Sequence, residues 1–397
     1  MKQYDIEEEK VGQENEDDLQ GLSKDNFSDA VLWGTDWTTE TIISQLKKGN
    51  IELSPNFQRR DAWGVDRKSA FIESIILGLP IPQIILAERK DKRGSYIVID
   101  GKQRLLSIRQ YSVTDENDEF QPLKLGGLKV LDDLNGKTYK EVSEQLDFSK
   151  YNNAFDNQSI RTVIIRNWPS QTFLYTVFLR LNTGSLPLSP QELRQALNPG
   201  YFTTFADTFS IESVQIRKAL NIKKPDYRMR DVEVVVRYFA FKNYIENYTG
   251  NLKEFLDNTC ATLNEEWKKD NSKILNQAQE LNNAIDHTYQ IFGSNAFSKF
   301  GNNEFTGVFN RPVFDLMTYF FSVPEIRNAT TGKEKELVEY FISLCIHDIE
   351  FLKSLEASTK NTTAVAKRFF EWGNGLKKIL NLNIGVPEKG DVGIVIK

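Results

Sequence analysis

The sequence contains very little cysteine or histidine. Its 397 residues include two cysteines, Cys260 and Cys345, and two histidines. Two distant cysteines fit neither a disulfide framework nor a cysteine-based zinc cluster, and no Cys-x-x-Cys pair occurs. This pattern predicts a protein of the reducing cytoplasm.

Long apolar runs are also missing. Nowhere does the chain approach the roughly 18 continuous apolar residues that a membrane-spanning helix needs. Residues 1–16 have no apolar run and no small-residue cleavage site, so a signal peptide is not expected. The sequence therefore predicts neither membrane insertion nor secretion.

Negative charge is concentrated at the N-terminus. Residues 1–30 hold ten acids and three lysines, a charge of 3 − 10 = −7, whereas the whole chain carries −5. The remainder is therefore −5 − (−7) = +2. We predict that residues 1–30 form a disordered acidic leader, either a solubilising tail or a nucleic-acid mimic that covers a basic groove. The nearly neutral body predicts weak unaided binding to DNA.

The length exceeds that of a usual single core and predicts two domains. We expect an α/β domain at residues 31–200, an all-helical domain at 201–384 and a tail at 385–397. Long helical patterns in the second domain cover Leu252–Leu263, Lys333–Leu352 and Ala364–Leu380.

The first domain alternates helical and strand-like segments. A helix is expected between Thr38 and Gly49, and a second one is expected to be capped by Asp66. The later elements, in order, are strands at Gln83–Glu88 and Tyr96–Ile99, a helix at Lys102–Tyr111, a strand at Ser159–Arg166, a helix at Phe173–Leu181 and a capping box at Ser189–Glu192. A strand therefore leads directly into a helix at Gly101.

This junction, Asp100-Gly101-Lys102-Gln103-Arg104, is the strongest candidate site. The first N–H groups of a helix lack internal partners and the helix dipole is positive there, so an anion is favoured. Glycine permits close approach, Lys102 adds a cation, and Arg104 offers a planar fork for phosphate. Asp100 and Gln103 are candidates to orient a sugar, a metal or a water. The competing interpretation is a purely structural aspartate cap with a nearby arginine.

Further polar residues are candidates to complete the pocket. Those of the first domain are Arg59, Arg60, Arg180, Asn182 and Arg194. In the second domain, Arg228, Arg230 and Asp231 either close over the nucleotide site or belong to an ion-paired helix surface.

Four ordered motifs resemble the N-terminal domain of GmrSD-type restriction endonucleases. They are Pro55–Trp63, Phe71–Pro82, Asp100–Leu105 and the pair Arg180–Gly184 with Leu188–Arg194. The third resembles the family hallmark Asp-Gly-Gln-Gln-Arg, with Lys102 at the third position. The resemblance implies a ParB/sulfiredoxin-like α/β fold, nucleotide phosphates at the hallmark helix, and defence against foreign DNA, often with NTP hydrolysis.

Two activities of relatives are not expected. Sulfiredoxins need a cysteine beside the phosphate site, but Cys260 and Cys345 lie in the predicted helical domain. Larger members of the restriction family carry a His-Asn-His nuclease domain, whereas His287 and His347 lie in predicted helices here. We therefore expect any nuclease to be a separate effector chain.

These patterns lead to one main prediction and two alternatives. The main prediction is a nucleotide-binding, NTP-hydrolysing component of a bacterial DNA-directed restriction system, with Asp100 and Gln103 catalytic and an NTP with Mg²⁺ as cofactor. Asp100 is the candidate metal ligand. The first alternative is a catalytically silent adaptor for DNA or protein. The second is a metal-dependent nuclease that uses Asp100, Asp61 and Glu73.

Overall fold

The computed structural model describes residues 30–51, 53, 60–181, 189–356, 360–391 and 393–397. Residues 1–29 of the predicted acidic leader, Arg59 and Asn182 lie outside the described residues. The described chain divides into two compact units that meet in sequence at Leu197 and Asn198. The protein is of mixed α and β structure.

The N-terminal unit contains a four-stranded sheet and surrounding helices. In chain order its elements are β1 (Val31–Thr38), α1 (Thr39–Lys47), α2 (Val65–Ile76), β2 (Ile84–Glu88), β3 (Tyr96–Asp100), α3 (Lys102–Tyr111), α4 (Tyr139–Ser143), α5 (Ser149–Asn157), β4 (Ser159–Arg166), α6 (Gln171–Leu181) and α7 (Pro190–Leu197), with 3₁₀ turns at Asp132–Leu134 and Leu146–Phe148. The strand order is β1-β4-β2-β3. β4 pairs antiparallel with β1 and parallel with β2, and β2 pairs antiparallel with β3.

Both faces of β2 and β3 are covered, which explains why these strands are almost entirely apolar. Ile84 and Leu86 face one core, which also includes residues of α1, α2, α3 and α5. Ile85 and Ala87 point the other way, into a smaller core that includes residues of α6 and α7. The end of β3 is therefore held from both sides.

Several predicted elements agree with the structure. The strand Ser159–Arg166 and the helix Lys102–Tyr111 have the expected bounds. The prediction that Asp66 caps α2 was wrong, because Gly64 is the N-cap residue and Asp66 lies inside the first turn. Strand β1 was not predicted at all.

The C-terminal unit is mainly helical. Its helices are α8 (Tyr201–Glu212), α9 (Val214–Ala219), α10 (Arg230–Tyr244), α11 (Leu252–Lys269), α12 (Ser272–Phe292), α13 (Arg311–Phe321), α14 (Pro324–Ala329), α15 (Glu334–His347), α16 (Ile349–Glu356) and α17 (Thr362–Leu380), with a 3₁₀ turn each at Ile245–Asn247 and Gly293–Asn295. They enclose one large apolar core that contains Trp372 and Phe314.

Three sequence expectations for this unit need correction. The expected helix Lys333–Leu352 is two helices, because Asp348 leaves the helical conformation. Short strands also occur, at β5 (Phe300–Gly301), β6 (Glu304–Phe305), β7 (Pro387–Lys389) and β8 (Ile394–Ile396). β7 and β8 pair with each other and Ile394 is buried, so the predicted tail is folded.

None of the helices in the described part of the chain combines the length and apolar character that crossing a bilayer requires.

Candidate functional site

The site is built on the turn between β3 and α3. Gly101 has φ = +99°, in the left-handed region that glycine tolerates and other residues rarely adopt. A Cβ atom at this position would lie 3.2 Å from Cγ1 of Ile84. Within the described residues no side chain caps α3. The first N–H groups of α3 therefore keep the electrostatic preference for an anion.

Arg104 lies one turn into α3 and connects the helix back to the sheet. Its Nη2 donates to Oδ2 of Asp100 at 2.6 Å and to the main-chain oxygen of Gln83 at 3.0 Å. Its Nε is buried and has no hydrogen-bond partner among the described residues. Arg104 is thus oriented through one nitrogen and retains donors for another acceptor.

Asp100 is the accessible carboxylate of the junction, with 40% of its side chain exposed against 13% for Arg104. Opposite Asp100 in the sheet lies Ile85, and the β2–β3 register shifts between Ile85 and Leu86. Such an irregularity bends a strand and redirects a side chain. The structure thus pairs a carboxylate with the guanidinium at the junction, a contact that the sequence analysis did not predict.

Lys102 makes a contact that the sequence did not reveal. Its side chain is 6% exposed, and its Nζ lies 2.5 Å from Oε1 of Glu192. Glu192 also forms the predicted capping box of α7, since Oε2 accepts the N–H of Ser189 at 2.7 Å and Oγ of Ser189 accepts the N–H of Glu192 at 3.1 Å. The cation expected to serve a phosphate is therefore paired with a protein carboxylate.

Gln103 lies between Lys102 and Arg104 in the sequence. Its side-chain Oε1 is buried and accepts no hydrogen bond from the described residues. Its main-chain oxygen accepts from Oγ of Ser107 at 2.7 Å. A buried amide oxygen without a donor is costly, so this atom is a candidate acceptor for a bound hydroxyl or water.

The other predicted site residues of this unit have different surroundings. Arg194 is buried and its Nη1 donates to Oε1 of Gln191 at 2.6 Å. Arg60 is also fully buried, whereas Arg180 is exposed at the end of α6. The structure therefore brings together Asp100 with Arg104 and Lys102 with Glu192, and it gives Arg60 and Arg194 interior positions.

The carboxylates of the nuclease alternative are engaged separately. Asp61 pairs with Lys68, and Glu73 accepts the N–H groups of Val130 and Leu131 at 3.0 and 2.8 Å. In the described ranges no three His, Cys, Asp or Glu side chains are grouped closely enough to hold a metal ion. Asp61 and Glu73 therefore do not form a metal-binding group with Asp100 in the described part of the chain.

The candidates in the C-terminal unit form a local cluster around Asp226. Arg230 pairs with Asp226 at 2.7 Å, and the N–H of Arg228 donates to Oδ1 of Asp226 at 2.8 Å. Asp231 is buried and accepts the N–H of Asp226 at 3.3 Å. These contacts stabilise the start of α10. Their participation in a nucleotide site stays a prediction.

In the same unit the two cysteines are buried and His287 is partly buried. Cys260 and Cys345 are buried, and burial raises the pKa of the Cys345 thiol to about 11. Burial also lowers the pKa of His287, whose ring nitrogens contact Gln290 and Thr330. Neither thiol has the accessible, activated environment of a reactive cysteine.

Comparison with known proteins agrees with the motif pattern. Residues 39–198 match the GmrSD restriction endonuclease N-terminal domain. The matched GmrSD N-terminal domain covers 198 − 39 + 1 = 160 residues, about two fifths of the chain, and includes the β3–α3 junction and the α7 capping box. The predicted resemblance is confirmed for this segment. A search of curated proteins found no match.

Proposed function

We propose that this chain is a nucleotide-binding and NTP-hydrolysing component of a DNA-directed restriction system. The observation that carries the proposal is the uncapped N-terminus of α3, entered through a left-handed glycine and flanked by Arg104. Such a terminus favours a phosphate. The match of residues 39–198 to a restriction endonuclease domain supports the DNA-directed context.

The residues of the junction would have different roles in binding and hydrolysis. The first N–H groups of α3 and the unused donors of Arg104 would bind phosphate oxygens. Asp100, the acid of the junction and 40% exposed, would hold Mg²⁺ or orient the attacking water. Gln103 would contribute its buried amide oxygen to a hydroxyl or a water. Nuclease action would belong to a separate effector chain.

The test is binding and hydrolysis of ATP, GTP, CTP and UTP with Mg²⁺, compared between the natural protein and Arg104→Ala. Loss of charge-assisted hydrogen bonds predicts a ten- to hundredfold weaker affinity, about 1.5–3 kcal/mol. Arg161→Ala is the matched control, because Arg161 also pairs with an aspartate, Asp36, on the same sheet but at an exposed position. Its affinity should not change.

Three results would contradict the proposal. No nucleotide binding at millimolar concentration, with or without DNA, would make the α3 terminus purely structural. Equal losses in Arg104→Ala and Arg161→Ala would indicate a general effect on folding. Hydrolysis that survives unchanged in Asp100→Asn would remove Asp100 from the reaction.

A nucleotide-dependent adaptor is the second candidate. The observation that favours it is that Lys102 is already paired with Glu192, so fewer cations are available to neutralise charge in a transition state. Tight nucleotide binding without turnover in the natural protein would support the adaptor over the enzyme.

A further inference from the structure

The carboxylate of Glu192 lies between the first turns of two helices. Lys102, the first residue of α3, donates to one oxygen at 2.5 Å, and the N–H of Ser189 donates to the other at 2.7 Å. Lys102 and Glu192 each have side chains that are 6% exposed. One buried acid therefore connects the start of α3 with the cap of α7, 90 residues away in sequence.

The Lys102–Glu192 pair lies at the end of α3 where the helix favours an anion. A buried ion pair is held strongly, because removal of either partner leaves an uncompensated charge in a poorly solvated place. A phosphate at the first turn of α3 would be a new anion within the same small region as Lys102. It could replace the carboxylate as the partner of the ammonium group without leaving that cation unpaired.

We propose that Glu192 is an internal competitor of the nucleotide phosphate for Lys102. This inference rests on the proposed function. In the absence of ligand Glu192 holds Lys102, and bound phosphate takes over the ammonium group. Glu192 then retains its bond to the N–H of Ser189 and loses its bond to α3. Nucleotide binding is thereby coupled to the first turn of α7.

The experiment is a double-mutant cycle on affinity for ATP, GTP, CTP and UTP with Mg²⁺, using Glu192→Gln, Lys102→Met and the combination. Glutamine keeps an oxygen to accept the N–H of Ser189 but removes the competing charge. Glu192→Gln should therefore bind nucleotide about tenfold more tightly, the effect of one charge-assisted hydrogen bond. In the Lys102→Met background the same substitution should change affinity by less than about twofold.

Ser189→Ala is the matched control. It removes the hydroxyl that accepts the N–H of Glu192 but leaves both oxygens of the Glu192 carboxylate with their donors. Its affinity should equal that of the natural protein even though α7 loses part of its cap. Circular dichroism and the midpoint of thermal unfolding establish that each variant is folded.

The outcomes separate this inference from the proposed function. If the natural protein binds nucleotide through Arg104 and Glu192→Gln leaves the affinity unchanged, the competition is refuted and the binding site stands. If Glu192→Gln tightens binding equally with and without Lys102, its effect does not pass through that ammonium group and the inference also fails. If no variant binds any nucleotide, both proposals fall.

Discussion

Lys242 provides a pH-dependent test of the C-terminal unit. Its Nζ donates to the main-chain oxygen of Tyr319 at 3.2 Å, and no carboxylate among the described residues forms an ion pair with it. Burial has the largest effect on its pKa and lowers it to about 8 from an ordinary value of 10.5, while Glu280 raises the pKa and Arg327 lowers it. The folded chain therefore carries a poorly solvated ammonium group at neutral pH.

The sign of the effect follows from proton binding. Between pH 8 and pH 10.5 the unfolded chain binds more protons at Lys242 than the folded chain, so stability rises with pH. A shift of 10.5 − 8 = 2.5 units costs the folded state about 3 kcal/mol at pH 7. At pH 9.5 the remaining cost is about 1 kcal/mol, so the free energy of unfolding should gain about 2 kcal/mol over this range.

The assay is urea unfolding of the full chain at pH 7 and pH 9.5, followed by circular dichroism. Lys242→Met should be more stable than the natural protein by about 2 kcal/mol at pH 7, after subtraction of the lost hydrogen bond, and the difference should nearly vanish at pH 9.5. Lys268→Met is the control, because Lys268 is half exposed and pairs with Glu265. A Lys242→Met variant that is less stable at pH 7, or a difference independent of pH, would refute the argument.

Two further stability predictions use matched pairs and the same urea assay. Gly101→Ala should lower the free energy of unfolding by about 1–3 kcal/mol, because alanine is strained at φ = +99° and its Cβ would crowd Ile84. Gly64→Ala, at an N-cap with φ = −68° and open space, should lower it by about 0.5 kcal/mol. Equal losses in the two variants would contradict the argument from backbone strain. Asp315→Asn should lose about 3–5 kcal/mol, because Arg237 and Asp315 form a buried pair with 2% and 0% side-chain exposure. Asp36→Asn, in an exposed pair, should lose less than about 1 kcal/mol, and a similar loss in both would show that burial does not decide the cost.

The sequence could predict features that are formed by residues close together along the chain. The capping box of Ser189 and Glu192 depends on residues three apart, and both of its hydrogen bonds are present. Asp100 and Arg104 were likewise identified as candidates from one short motif, and the structure places them 2.6 Å apart. These features do not depend on the rest of the fold.

Contacts between distant segments were the ones that sequence patterns missed. The Lys102–Glu192 pair joins residues 90 positions apart, and no spacing rule connects them. Strand β1 was missed because Val31, Leu32 and Trp33 are exposed, so it lacks the alternation of a half-buried strand. Its partner, β4, lies more than 120 residues further along the chain.

The position of β1 also affects where this domain can be cut. The family match begins at Thr39, one residue after β1 ends at Thr38. β1 is nevertheless the antiparallel neighbour of β4 along all eight residues from Val31 to Thr38. A fragment trimmed to the matched residues would leave one side of β4 with unpaired N–H and C=O groups, which favour aggregation. A fragment intended to fold alone should therefore begin before Val31.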